Sequence, residues 1–97
     1  MNATFLAALA EPHRLEIIEL LARRPYSVND LAAALQMRQP QASKHLRALH
    51  EAQLVRVRRE AQRHIYSLDT ARLEQLKEWV EALEYTWIER SDKLRKR

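Results

Sequence analysis

The spacing of the apolar residues changes twice along this chain, and each change restricts the fold. In the first half of the chain the apolar residues recur at intervals of three and four, which indicates helices. Between Leu54 and Leu68 apolar and polar residues alternate, which indicates two short strands. From Thr70 the helical spacing returns and persists to about Asp92. Because 97 residues make one domain, residues 1–97 are predicted to form a single, mainly α-helical domain with a small β-hairpin.

Four short helices are predicted before the hairpin. The first covers Ala3–Ala10. Pro12 starts the second, because a missing N–H costs nothing in a first helical turn, and Pro25 stops it. Ser27 can cap the third helix, and Pro40 fits the first turn of the fourth. The second helix is placed at the centre of the core because it carries the densest apolar set: Leu15, Ile17, Ile18, Leu20 and Leu21.

The third and fourth helices, within about residues 28–52, are predicted to form a helix-turn-helix. The fourth helix has one apolar edge, formed by Ala42, Leu46 and Leu49, that would hold it against the domain. Its remaining surface is polar and basic. In a major groove, Gln and Arg can bond base edges while Ser and Lys reach phosphates. The candidate DNA-binding residues of this helix are Gln39, Gln41, Ser43, Lys44, His45 and Arg47.

A wing is predicted from about residue 54 to residue 68. The two alternating segments form an antiparallel hairpin with its turn at Glu60–Gln62, and one face of it packs on the helices because an isolated hairpin is only marginally stable. Arg58, Arg59 and Arg63 lie near the tip and are the candidate DNA-binding residues of the wing. Strands also carry arginine for solubility or to protect a sheet edge, and that explanation stays open.

The positive charge is concentrated in the segment that holds these candidates. Residues 36–67 contain seven Lys or Arg and two acidic residues, so they carry +5 of a chain whose net charge is +4. A contiguous basic segment is typical of a protein that binds a polyanion, although a solvated basic face has the same composition. In residues 73–92 six acidic residues outnumber two basic ones, so the last helix is expected to face away from DNA. The basic tail, residues 93–97, is expected to be solvated.

The last helix, from about residue 70 to residue 92, is predicted to be a dimer contact. Its apolar residues alternate steps of three and four, which is the average period of paired helices. At 1.5 Å per residue it is about 34 Å long, too long for so small a domain to cover. The alternative is that it folds back on its own domain. The apolar stripe is Leu73, Leu76, Val80, Leu83 and Trp87, widened by Trp79, Tyr85 and Ile88.

Residue types that are absent exclude several functions. The chain has no cysteine and no glycine, so it offers no disulfide, no thiolate metal site, no thiol nucleophile and no glycine-rich phosphate loop. Its four histidines show no i, i+4 ligand pair, so no metal and no other cofactor is expected. Neither a signal peptide nor a membrane span is visible. We therefore expect a cytoplasmic protein with no membrane partner that is not an enzyme.

Several segments together closely resemble the ArsR/SmtB family of winged-helix repressors. They are Leu9–Ile18, Ser27–Ala32, Gln39–Leu49, Leu54–Glu60 and Tyr66–Asp69. The resemblance covers about residues 5–70, and the segment Ser43–Leu46 in its context is a specific signal. The last helix resembles the branch of autorepressors that lack a metal site.

The resemblance implies a winged helix-turn-helix with four helices, two strands and a fifth helix. It also implies repression by a homodimer, joined through the first and last helices, on double-stranded DNA whose operator has two-fold symmetry. The DNA-contacting positions that it implies are those given above for the fourth helix and the wing. The implied dimer-interface residues are Phe5, Leu9, Leu76, Val80, Leu83 and Trp87.

Two positions depart from the family pattern. Gln53 and Ala61 stand where the family usually has glycine, at the end of the fourth helix and in the wing turn. A non-glycine residue in a left-handed conformation costs about 1–2 kcal/mol. We therefore expect these two corners to be built differently.

The main alternative function is a winged-helix module that binds or pairs with protein and does not bind DNA. Such a module should expose apolar anchors, whereas the fourth helix exposes basic and hydrogen-bonding groups. The two functions differ in salt dependence, because each phosphate neutralised steepens the fall of affinity with salt and an apolar protein contact does not.

Overall fold

The computed structural model describes residues 1–95, with side chains as far as Asp92, so the prediction for the basic tail, residues 93–97, lies outside the described side chains. The elements in chain order are α1 (Ala3–Leu9), α2 (Pro12–Leu21), β1 (Tyr26–Ser27), α3 (Val28–Ala34), α4 (Gln39–Glu51), β2 (Val55–Glu60), β3 (Arg63–Leu68) and α5 (Thr70–Arg95). This order confirms the mainly α-helical winged helix-turn-helix fold, with β1 as an addition.

The sheet has three antiparallel strands in the order β1-β3-β2. β2 and β3 form the predicted hairpin, but Glu60 already pairs with Arg63, so the turn is Ala61–Gln62 alone. β1 pairs with the other edge of β3, where Tyr26 lies opposite Tyr66. A strand of two residues is too short to show alternation, which is why the sequence does not predict it. β1 ties the wing to the start of α3.

Side chains cap the starts of α2 and α3. The Ser27 hydroxyl accepts a hydrogen bond from the Asp30 N–H at 3.1 Å, as the sequence predicts. Glu11 Oε2 accepts one from the Arg14 N–H at 2.9 Å. Each cap satisfies an N–H group that the first turn of a helix leaves without a partner. The cap on α2 also fixes the position of the Glu11 carboxylate.

The core lies where α2, α3 and α4 pack together and against the sheet. Its largest fully buried side chains are Ile17, Leu31, Leu46, Leu49 and Leu54. α2 contributes Ile17 and Leu21, as expected of a central helix. Leu15, however, is 46% exposed, so the rest of the chain does not cover all the apolar residues of α2.

Three corners have a left-handed backbone without glycine, and two of them are the corners where the family usually has glycine. The described residues other than glycine that have positive φ are Gln36 (55°), Gln53 (61°) and Ala61 (57°). The expectation that Gln53 and Ala61 would avoid this conformation is therefore wrong. At the end of α4, the Leu54 N–H donates to the Leu49 carbonyl at 3.0 Å. The left-handed backbone of Gln53 allows this bond, which satisfies one of the carbonyls at the end of the helix. The hydrogen bonding of the corner is kept at a cost of about 1–2 kcal/mol in backbone strain.

α5 extends well beyond the rest of the domain. Its first turns pack on the core through Leu73 and Leu76. The molecule measures 65 × 22 × 22 Å, and its radius of gyration is 17.4 Å. A compact chain of this length has a radius of about 12.5 Å. The alternative in which α5 folds back on its own domain is therefore wrong. None of the described helices has the length and apolar character needed to cross a membrane.

Candidate nucleic-acid interface

α4 is held to the domain by one edge and exposes the rest of its surface. Ala42, Leu46 and Leu49 are completely buried, as the sequence predicts. The exposed and half-exposed polar residues form what we call the polar face of α4: Gln39, Gln41, Ser43, Lys44 and Arg47. Gln39 Nε2 donates to Ser43 Oγ at 3.0 Å, one helical turn away. The polar face of α4 thus combines amide, hydroxyl and cationic groups on a helix whose position is fixed by buried side chains.

His45 does not belong to the polar face of α4. Its side chain is only 14% exposed, and its ring stacks on the ring of His13 in α2 with centroids 5.4 Å apart. The residue lies directly before the buried Leu46, at the border of the apolar edge, so the packing of α2 on α4 decides which way it points. Its ring packs against the N-terminus of α2, so a DNA contact by His45 stays a prediction and would use only the small exposed part of the ring.

The wing arginines differ in their partners. Arg58 Nη2 lies 3.1 Å from Glu60 Oε2, and Arg63 Nη2 lies 3.0 Å from Asp30 Oδ2. Arg59 is exposed and has no ion-pair partner among the residues that the structure describes. The three predicted wing residues are therefore all at the hairpin, but Arg59 alone among them carries an uncompensated charge.

Glu11, His13 and His45 form a polar cluster where α2 meets α4. His13 Nδ1 lies 3.0 Å from Glu11 Oε1, and His45 Nδ1 lies 3.8 Å from Glu11 Oε2. From the sequence, no set of metal ligands was expected, because only the spacing of histidines within one helix was compared. That comparison missed this cluster because Glu11 and His45 are far apart in the sequence and only the packing of two helices brings them together.

The cluster shifts the pKa of two of its members. Burial of the imidazole lowers the pKa of His45, against the attraction of the Glu11 carboxylate. For Glu11, partial burial acts to raise the pKa, but the hydrogen bond from the Arg14 N–H and the contact with His13 outweigh it, so the pKa is lowered overall. At neutral pH, His45 is therefore a neutral imidazole beside an ionised carboxylate.

The predicted dimer residues fall into three groups by their exposure. Val80, Leu83 and Trp87 are exposed on the projecting part of α5, with Leu83 52% and Trp87 70% exposed. Leu9 and Leu76 are half-buried against the core of their own chain. Phe5 is only 4% exposed and belongs to that core, so its assignment to a dimer interface is corrected. The exposed apolar surface of α5 is extended by Trp79, Tyr85 and Ile88.

The sequence is similar to those of known bacterial regulators. Residues 11–57 match the family model described as bacterial regulatory protein, arsR family. Over 66 residues the chain is 42% identical to a transcriptional repressor SmtB homolog of Synechocystis sp., and the match covers 68% of this chain and 50% of that protein. Over 81 residues it is 38% identical to the HTH-type transcriptional regulator Rv2034 of Mycobacterium tuberculosis, covering 78% and 76% of the two chains.

The fold is similar to that of a solved regulator as well. The ArsR-like transcriptional regulator from Rhodococcus sp. RHA1 superposes with a TM-score of 0.86 and 28% identity, over 97% of this chain and 89% of that one. The chain spans about half the length of several curated relatives that it matches, the Synechocystis protein among them.

Proposed function

Because this chain belongs to the ArsR family of bacterial regulatory proteins, we propose that it represses transcription as a homodimer bound to an inverted-repeat operator in double-stranded DNA. The polar face of α4 carries this proposal, since it exposes five groups suited to DNA on a helix anchored by three fully buried residues. The protein acts by binding in the bacterial cytoplasm and not by catalysis, and the DNA contact itself uses no metal and no membrane.

The polar face of α4 divides into base-contacting and phosphate-contacting groups. Arg47, Gln39 and Gln41 can each form paired hydrogen bonds, Arg with guanine and Gln with adenine, so they select the sequence. Lys44 and Ser43 suit phosphates, which fix the position of the helix in the major groove but carry no sequence information. All five side chains have exposed surface on the same helix.

The wing adds affinity beside the helix. Arg58 and Arg59 are exposed on β2, which follows α4 after a short corner. A cationic hairpin at this position reaches the phosphates that flank the major groove. Because such contacts are made to the backbone, they strengthen binding to every sequence alike.

A second copy of the chain covers the exposed apolar part of α5. Val80, Leu83 and Trp87 lie on one stripe of a 26-residue helix that its own domain leaves open. Aromatic residues are enriched at protein interfaces, and small domains gain stability by pairing. A two-fold axis through paired α5 helices gives two copies of α4, which would enter successive major grooves about 34 Å apart.

The salt dependence of DNA affinity tests this function. The logarithm of the binding constant falls by about 0.9 per neutralised phosphate for each unit of log salt. If Lys44 and Arg59 of both protomers contact phosphates, the slope for an operator-length duplex is about −3.6 on that rule. Fluorescence anisotropy between about 0.05 and 0.2 M salt measures it, over the range where such a slope is resolved.

A matched pair of lysine variants makes the test specific. Lys44→Ala should flatten the slope by about 1.8 for the dimer, two phosphates at about 0.9 each. Lys77→Ala, which removes the same charge from α5 where Lys77 pairs with Glu81, should leave it unchanged. A nearly flat slope for the unmodified protein would instead favour a winged-helix module that binds protein.

A further inference from the structure

The cluster of Glu11, His13 and His45 joins two helices through groups that are all able to bind a metal ion. Glu11 is the N-cap of α2, His13 lies in its first turn, and His45 lies in the middle of α4. One ligand atom from each residue lies within 4.8 Å of the others. Both histidine Nδ1 atoms face the same Glu11 carboxylate, at 3.0 and 3.8 Å.

The protein leaves one of these nitrogens without a hydrogen bond. Among the described residues, His45 Nδ1 is a buried side-chain nitrogen with no hydrogen-bond partner, because 3.8 Å to Glu11 Oε2 is too long for one. A buried polar atom without a partner is costly, and native proteins rarely keep one without a reason. This nitrogen is therefore open to a cation that approaches Glu11 and His13.

We propose that Glu11, His13 and His45 bind one divalent transition metal ion of the Zn²⁺ class. Two imidazole nitrogens and one carboxylate oxygen are a ligand set that such ions accept, with a water molecule in the fourth position. Imidazole ligands favour Zn²⁺ and similar ions over Mg²⁺ or Ca²⁺, which prefer oxygen alone. The absence of cysteine excludes thiolate sites but not this one.

Only small side-chain movements separate the cluster from a tetrahedral site. With metal–ligand distances of about 2.0–2.1 Å, neighbouring ligand atoms lie about 3.3 Å apart. The ligand atoms of the three residues now lie up to 4.8 Å apart, so the longest of these distances must shorten by about 1.5 Å. His13 is 46% exposed and can rotate, whereas His45 is held by the packing of α4. Glu11 Oε2 can keep its capping bond to α2. Glu11 Oε1 can give up its hydrogen bond with His13 and bind the metal ion in its place.

The bound ion would link the N-terminus of α2 directly to α4. It would replace a hydrogen bond within α2 by a bridge between the helices, next to Lys44 on the polar face of α4. Metal binding by this site does not depend on the proposed repressor function. Its influence on DNA affinity does depend on that function, so metal binding is tested in the absence of DNA.

Titration of the metal-free chain with Co²⁺ and competition by Zn²⁺ test the site. Tetrahedral Co²⁺ bound to nitrogen and oxygen ligands gives visible absorption bands, which Zn²⁺ should abolish at one equivalent. Zn²⁺ should also raise the melting temperature, since an ion that binds only the folded chain stabilises it. Absence of tetrahedral Co²⁺ bands together with an unchanged melting temperature would overturn the proposal.

Variants decide whether this cluster holds the ion. His13→Gln, at an exposed position, and Glu11→Gln, which keeps an oxygen to cap α2, should each weaken Co²⁺ binding at least tenfold, since changes outside the ligand shell already cost that much. His50→Gln removes an exposed histidine from the same helix as His45 and should leave binding unchanged. Equal loss in His50→Gln and His13→Gln would show adventitious surface binding and reject the site.

Discussion

The Nη2 atom of Arg63, in the first residue of β3, lies 3.0 Å from Oδ2 of Asp30 in α3. This pair joins the wing to the helix-turn-helix. Both side chains are exposed, so the pair contributes little to stability. It does neutralise Arg63, whereas Arg59 has no ion-pair partner in the part of the chain that the structure describes.

Arg59 and Arg63 are therefore expected to contribute unequally to DNA binding. Arg59→Ala should reduce the salt slope by about 0.9 for each protomer that contacts DNA. Arg63→Ala should reduce it less, because its charge is already compensated by Asp30. Anisotropy titrations on random-sequence duplex at several salt concentrations measure both. Asp30→Asn, which frees Arg63, should raise the affinity, and equal effects of the two arginine variants would contradict this account of the wing.

Arg47 is expected to select sequence and not merely to attract DNA. Arg47→Ala should weaken binding to the operator by about 1–3 kcal/mol for each protomer, the discrimination of one good bidentate contact with a base. Binding to random DNA should fall by much less. The matched control is Arg90→Ala on the acidic α5, where neither affinity should change. Equal losses on operator and random DNA would show that Arg47 contacts only phosphate.

Leu83→Glu is expected to break the dimer. The residue is 52% exposed in the single chain, in the middle of the apolar stripe of α5, and a charge there would be buried without a partner when two copies pair. Ala82→Glu places the same side chain about 100° around the helix from Leu83, off the apolar stripe, since 3.6 residues make a turn, and should leave the dimer intact. Sedimentation velocity gives the mass of each variant. A dimer of unchanged strength in Leu83→Glu would place the interface elsewhere.

Ala61→Gly is expected to stabilise the protein by about 1 kcal/mol. The left-handed backbone of Ala61 costs about 1–2 kcal/mol, and the greater freedom of glycine in the unfolded chain offsets about 0.4–1 kcal/mol of the relief. For a domain of this size the gain corresponds to about 4–8 °C in melting temperature. Ala33→Gly makes the same change within α3 and should destabilise by about 1 kcal/mol. A lower melting temperature for Ala61→Gly would show that the turn carries no strain.

The sequence predicts most of this fold because its signals are local. The helical spacing of α2 and α4, the prolines at their starts and the alternation in β2 and β3 each depend on residues close together in the chain. β1 is too short to show a period. The left-handed backbone at Gln53 and Ala61 was not expected, because residue preference alone argues against it and the tertiary packing overrides that preference.

The site is less predictable than the fold for the same reason. The exposed residues of α4 follow from the position of its apolar edge, so Gln41, Lys44 and Arg47 could be named from the sequence. His45 borders that edge, and only the packing of α2 decides that it points inward. Phe5 likewise has the spacing of an interface residue, but its side chain is buried in the core of its own chain.

Capture and sequencing of genomic fragments by the purified protein, at about 0.15 M salt with a chelator present, tests the central claim most directly. We expect enrichment of a short inverted repeat whose half-sites are centred about 10 base pairs apart, one turn of DNA. The Arg47→Ala variant should lose that enrichment while Arg90→Ala keeps it. If no sequence is enriched over random DNA, the polar face of α4 is not a sequence-specific DNA contact and the account is contradicted.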